Sequence, residues 1–349
     1  MRLRALVGVL ASVLFLWLAL RDASLADFAG ALRGVNPLFL TLAALASLLG
    51  VGLRALRWHV MVAPLGPITR ARLFVVFVIG SMANTVLPVR LGELVRAYLL
   101  GRSARVSTSG ALATIVYERV VDVFAALALL WVALMIAPAP PWLRASGAWV
   151  LAANSLLMGL IVLMVLIPGP VANLVARLAR PFGARAHRFV HGACEAFAAG
   201  LGSVRSLRAT LLILAQTVAV TAASVLPVYL CFGATGIAPT ISAAVVVTVL
   251  VSFASMIPAA PGNVGPIQYA CVVALGLYRV DRGAGLAYSV IFQLTQYVPV
   301  TVLGLALLWR EQIGLFQLAR RAPLPSLGDD HVRDAEQGPA EGQSPEQPE

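Results

Sequence analysis

The stretch NTVLPVRLGELVRAYLL, residues 84–100, sets Arg90, Glu93 and Arg96 around Pro88 and Gly92 inside an apolar region. A little further on, TIVYERVVDVF (114–124) adds Glu118, Arg119 and Asp122. An isolated charge at bilayer depth costs about 2.5–3.5 kcal/mol, so six unpaired charges would cost on the order of 15–20 kcal/mol. Such groups must face protein or water rather than hydrocarbon. Three acids offset three bases, and the i, i+3 spacing of Glu93 and Arg96 and the i, i+4 spacing of Glu118 and Asp122 put each pair on one helix face. Two readings follow. In one, the six form a structural ion-pair cluster, with Arg119 snorkelling near an interface. In the other, they line a water-filled cavity where Arg90 and Arg96 bind a lipid phosphate and the carboxylates receive a cation or a proton.

The elements that must position these groups are helices in a membrane. The chain is 60% hydrophobic and 12% charged, with a mean hydropathy of +0.89, and several apolar runs reach spanning length. The net charge of +11 comes entirely from Arg. The absence of Lys excludes a Walker A loop and Schiff-base or pyridoxal chemistry, which use the ammonium itself. The Arg residues fall mostly in short segments between apolar runs, which argues for loop topology rather than nucleic-acid binding. Cys194, Cys231 and Cys271 lack metal or redox spacing.

Full spans are expected at about 5–20, 37–53, 111–137, 148–168, 209–231 and 284–308. The N-terminal run is read as an uncleaved span, although Ser24 and Ala26 would also suit signal peptidase. Two further apolar regions, 73–100 and 241–278, are broken by Pro and Gly at LPVRLG (87–92) and IPAAPGNVGP (257–266). The basic residues Arg54, Arg57, Arg70, Arg72, Arg102 and Arg105 flank the first, so it is read as a re-entrant hairpin from the cytoplasmic side. The second then enters from outside. The fold class is thus an all-α polytopic membrane protein with about six full spans and two re-entrant broken-helix hairpins in an inverted repeat. Its halves are about 1–137 and 148–310 within a 1–320 membrane domain, and both termini are cytoplasmic. Segment 170–208 is expected to lie on anionic headgroups, and 321–349 to be a disordered acidic tail.

The second break supplies Asn263 and Gln268, with backbone freed by Pro258, Pro261, Gly262, Gly265 and Pro266, and no charge. It reads as a neutral hydrogen-bonding partner to the first, or as a packing kink. His187, His191 and Glu195, near Cys194, recur at helical spacing, but on a basic surface helix they read as solvated. No metal or cofactor is expected, and no hydrolase motif occurs.

RALRW (54–58), NTVLPVRLGELVRAYLL, YERVVDVF (117–124) and IPAAPGNVGPIQ (257–268) together resemble the membrane domain of lysylphosphatidylglycerol synthetases and the stand-alone flippase-like proteins related to it. The resemblance covers about residues 1–320. It implies transfer of an aminoacylated or otherwise polar lipid between leaflets, with Asn84, Arg90, Glu93, Arg96, Glu118, Arg119 and Asp122 matching the family's pattern. Members commonly carry Glu where Gln268 stands. The soluble synthetase domain has no counterpart in the tail, so the implied partners are a membrane lipid and a separate lipid-synthesising enzyme, with no nucleic acid. Self-association stays open, and the expected location is the bacterial inner membrane. The chain is expected not to be an enzyme. The alternative is an accessory subunit or intramembrane enzyme of lipid, glycolipid or hopanoid modification, with Glu118 or Asp122 as general base.

Overall fold

The computed structural model describes residues 2–21, 25–86, 91–104, 106, 108–136, 206–238, 240–257 and 259–311, with isolated positions between 149 and 183. Most of the expected span at 148–168, nearly all of 170–208 with His187, His191, Cys194 and Glu195, the acidic tail, Ser24, Pro88, Arg90 and Pro258 lie outside the described residues. Among those residues, all regular structure is helical: α1 (Arg2–Leu20), α2 (Leu25–Arg33), α3 (Pro37–Val62), α4 (Arg70–Val86), α5 (Gly92–Ala104), α6 (Thr108–Ile136), α7 (Leu207–Thr235), α8 (Ile241–Ala254), α9 (Pro266–Gly276) and α10 (Arg282–Arg310).

Among the described residues, four helical segments, Pro37–Leu65, Gly110–Ile136, Leu207–Thr235 and Arg282–Arg310, are long and apolar enough to cross a membrane. At about 1.5 Å per residue, 27–29 residues extend some 40 Å, more than the roughly 30 Å hydrocarbon core. Their outward faces keep large apolar side chains exposed, including Leu45, Leu49, Leu214, Val218 and Val302, as a lipid solvent requires. The molecule is an all-α polytopic membrane protein. Local signals set the helix starts. The Asn36 side chain accepts from Leu38 N at 3.0 Å ahead of Pro37. Thr240 caps α8 through Ala243 N, and Asp281 caps α10 through Gly283 N at 2.7 Å. Gly236, in the left-handed region at φ 72°, closes α7.

Two boundaries depart from the sequence reading. The segment between the first two spans folds as α2, whose Phe28 packs against Val272 and Leu286. More consequentially, α3 runs nine residues past the expected end at 53, to Val62, which carries Arg54 and Arg57 into the helix instead of a flank.

Both broken regions form helix pairs, α4 with α5 and α8 with α9, each folded against itself. The α4–α5 crossing is made by glycine. A Cβ on Gly92 would lie 2.0 Å from the Gly80 carbonyl oxygen, and one on Gly80 would lie 2.1 Å from Arg96 Cγ. There are two main apolar cores. The first holds α4, α5, the later part of α3, the start of α6, Ile213 of α7 and Val300 to Leu308 of α10. The second holds α8, α9, Ala43 of α3, Ala133 of α6, Val228 to Phe232 of α7 and Tyr288 to Phe292 of α10. Every long helix therefore runs from one core to the other. Helices α3 and α10 run from the second core to the first, and α6 and α7 run the opposite way.

Candidate functional site

A cavity of about 400 Å³ opens between the two cores. All four long helices contribute to its wall, as do α4, α5, α8 and the 3₁₀ turn Pro261–Asn263. That volume lies within the roughly 300–1,000 Å³ of ordinary small-molecule sites.

Of the residues expected to form the site, Asn84, Glu93, Arg96, Arg119, Asp122 and Asn263 line the cavity. Glu118 stands just behind them, fully buried. Arg96 Nη2 meets Glu118 Oε2 at 2.7 Å, and Arg119 Nη2 meets Glu118 Oε1 at 3.3 Å. Arg119 also reaches Glu93 Oε1 and Asp122 Oδ2, both at 3.5 Å. The Arg96 guanidinium sits in the corner between the tilted rings of Trp58 and Phe77, at 4.1 and 4.3 Å from their centroids, and Trp58 is itself fixed by donating to Thr114 Oγ1. These two ring contacts in a desolvated site help orient Arg96 toward Glu118. Arg96 thus acts as a brace for the carboxylate as well as a part of the wall.

Sequence reasoning missed two cations of this network. Arg57 is fully buried, with Nη2 at 2.5 Å from Asp122 Oδ1 and 3.8 Å from Glu118 Oε1, and it donates to Thr217 Oγ1. Arg54, one turn earlier on the same face, lines the cavity and donates to Ser224 Oγ at 2.9 Å. Their i, i+3 spacing next to Trp58 was a usable signal once α3 is allowed to reach Val62. The neutral part of the wall had no such signal. It is built of hydroxyls, Thr221 and Ser224 on α7 with Thr248 and Ser252 on α8 and Ser255 just past its end.

The second break is held by amides and glycine. Gln268, 4% exposed, accepts from Gly265 N at 2.7 Å through Oε1 and donates to Gln293 Oε1. Gln293 in turn donates to the Gly262 carbonyl. Gly262, Asn263 and Gly265 have φ of 77°, 52° and 100°, conformations that favour glycine and, next, asparagine. A Cβ on Gly265 would lie 2.3 Å from the Ser12 carbonyl oxygen, and Ser12 Oγ accepts from Ala260 N at 2.8 Å. Gln268 thus supports the loop from behind while Gly262 and Asn263 present it to the cavity, where Asn263 Nδ2 donates to the Ser255 carbonyl.

The family model for the lysylphosphatidylglycerol synthase TM region matches residues 5–304. A UPF0104 membrane protein of Methanothermobacter thermautotrophicus is 24% identical over 301 residues, an alignment covering 79% of this chain and 86% of that one.

Proposed function

The chain belongs to the family of the lysylphosphatidylglycerol synthase transmembrane region, and from that premise we propose that it moves a polar lipid between membrane leaflets. The headgroup passes through the ion-lined cavity while the acyl chains stay in lipid. The observation that carries this reading is the meeting of both interrupted helix pairs on one polar cavity between two apolar cores. Irregular backbone is tolerated at membrane depth where it lines such a space.

The opposed directions of α3 and α7, and of α6 and α10, support an inverted repeat in which the two broken pairs are re-entrant from opposite sides. Alternating access then follows from rocking one set against the other. In this reading both termini are cytoplasmic, the membrane is a bacterial inner membrane, and a separate enzyme makes the lipid. No bond is made or broken, and the network of Glu118 and its guanidinium neighbours serves as fixed electrostatics instead of an acid–base pair.

The reading is tested by reconstituting the purified chain in vesicles with a trace of tail-labelled phosphatidylglycerol and adding a membrane-impermeant quencher. The expected result is that quenching proceeds past the outer-leaflet half, and that Asp122→Ala slows it. Equal quenching with and without the chain rejects the proposal.

A further inference from the structure

The charges around the cavity do not balance. Among the described residues the guanidinium groups are Arg54, Arg57, Arg96 and Arg119, and the carboxylates are Glu93, Glu118 and Asp122. Each of these carboxylates already contacts at least one guanidinium. Arg54 contacts none, and its hydrogen bond is to the neutral Ser224 Oγ. One cation is therefore left over, and it faces open space.

Arg54 also marks a junction. A second cavity of about 300 Å³ adjoins the first and shares Arg54, Ser224, Thr248, Ser252 and Ser255 with it. Among the described residues, no charged side chain apart from Arg54 lines this second cavity, whose polar groups include Ser47, Gln293 and Gln296. The serine and threonine hydroxyls of this wall, as distinct from the Tyr297 phenol that also borders it, have a common geometry. Ser47, Ser224, Thr248 and Ser252 each donate to the backbone carbonyl four residues earlier, and Ser255 to the one three residues earlier. With their protons spent on the helix, they offer the cavity only acceptor lone pairs. Asn84 Oδ1, in the wall of the first cavity, is a buried acceptor with no hydrogen-bond partner. The complement of such a surface is a ligand with one negative charge, placed at Arg54, and several neutral donors beyond it.

We infer that Arg54 holds the phosphate of an anionic phosphodiester lipid whose headgroup is uncharged and rich in hydroxyls, a glycerol or a sugar, and that the hydroxyl-walled cavity receives those hydroxyls. A cationic aminoacyl headgroup fits poorly, because its ammonium would enter a site whose acids are already taken and whose surplus charge is positive. The inference rests on the translocation reading only for what the bound lipid does next. The binding statement stands alone.

The test compares binding and transfer by the full chain for two lipids, phosphatidylglycerol and lysylphosphatidylglycerol, each at trace level in phosphatidylcholine vesicles. Phosphatidylglycerol is expected to bind at least about tenfold more tightly, and Arg54→Gln to lose on the order of tenfold of that affinity, as removal of a charge-assisted hydrogen bond predicts. Ser224→Ala, a milder change on the same contact, should lose a few-fold. Equal or tighter binding of lysylphosphatidylglycerol overturns the inference, as does unchanged phosphatidylglycerol binding in Arg54→Gln. If that variant does not fold, the comparison of the two lipids on the unaltered chain decides. Free glycerol phosphate is the competitor. Displacement of the lipid at equimolar concentration would assign the site to the soluble phosphate and overturn the lipid assignment. Selective binding without transfer of either lipid would instead sink the translocation reading and leave this one standing, whereas selective transfer of lysylphosphatidylglycerol would do the reverse.

Discussion

The helix pair that flanks the first interruption, α4 with α5, is set among ions, whereas the turn between α8 and α9 is set among amides, hydroxyls and glycine. Both pairs border the same cavity. The first pair is tied to α6 by Arg96 with Glu118 and by Glu93 with Arg119, while Arg57 of α3 in turn holds the α6 acids Glu118 and Asp122. The second is fixed by its own backbone, through left-handed Gly262 and Gly265 and the chain of amides from Gln268 to Gln293. The difference separates two tasks. An ionic network holds helices together strongly but depends on every partner, while a neutral, glycine-shaped loop depends on steric fit.

The sharpest way to break this contrast is Glu118→Ala. It leaves Arg96 and Arg57 buried without their shared acceptor, and removal of one member of a buried ion pair costs about 3–5 kcal/mol. A large fall in the midpoint of thermal unfolding in detergent, with much reduced recovery of folded protein, is the expected outcome. A midpoint within a degree or two of the unaltered chain would mean that the ionic network does not hold the first pair in place.

Next comes Gly265→Ala in the neutral loop, where the added methyl meets the Ser12 carbonyl and the residue must keep a positive φ. Overpacking and strain together are worth roughly 1–3 kcal/mol or somewhat more. The change should free α1 from the loop, read as faster proteolysis near the N-terminus. Gln268→Ala should cost about 1–3 kcal/mol by leaving Gly265 N and Gln293 Oε1 without partners. It should act on stability more than on lipid binding, because Gln268 sits behind the cavity wall. A binding defect larger than the stability defect would reverse that assignment. The smallest effect is expected from Arg72→Ala. Its pair with Glu311 is about a third exposed, so its loss should change stability by less than about 1 kcal/mol. It therefore sets the scale against which the buried pairs are judged.

Much of this architecture is legible in the sequence. Hydropathy places the long helices, and the Pro and Gly clusters place both interruptions within a residue or two, because breakers and apolar length act locally. Glu93, Arg96, Glu118, Arg119 and Asp122 are legible for the same reason, since a charge inside an apolar run has few places to go. Arg54 and Arg57 are hidden by the rule that reveals the others. Treated as the end of a span, Arg looks like a flank, and only the partners Asp122 and Thr217, distant in sequence, show that α3 continues. Gly80 and Gly304 are hidden because a small residue matters only for what approaches it, here Arg96 and Met82. The hydroxyl wall leaves no trace at all. A serine that bonds its own helix has the same sequence signature whether it faces a cavity or lipid.

The last residues of α10 have a bearing on biogenesis. Val300, Leu303, Leu307 and Leu308 close a core otherwise built from residues 48–121 and Ile213. Ribosomal synthesis delivers that closing piece about 180 residues after Val121, so one flank of the earlier helices is covered only then. During that interval the arginines and acids of the N-terminal portion can shield one another, which gives their mutual pairing a value for insertion quite apart from any cargo.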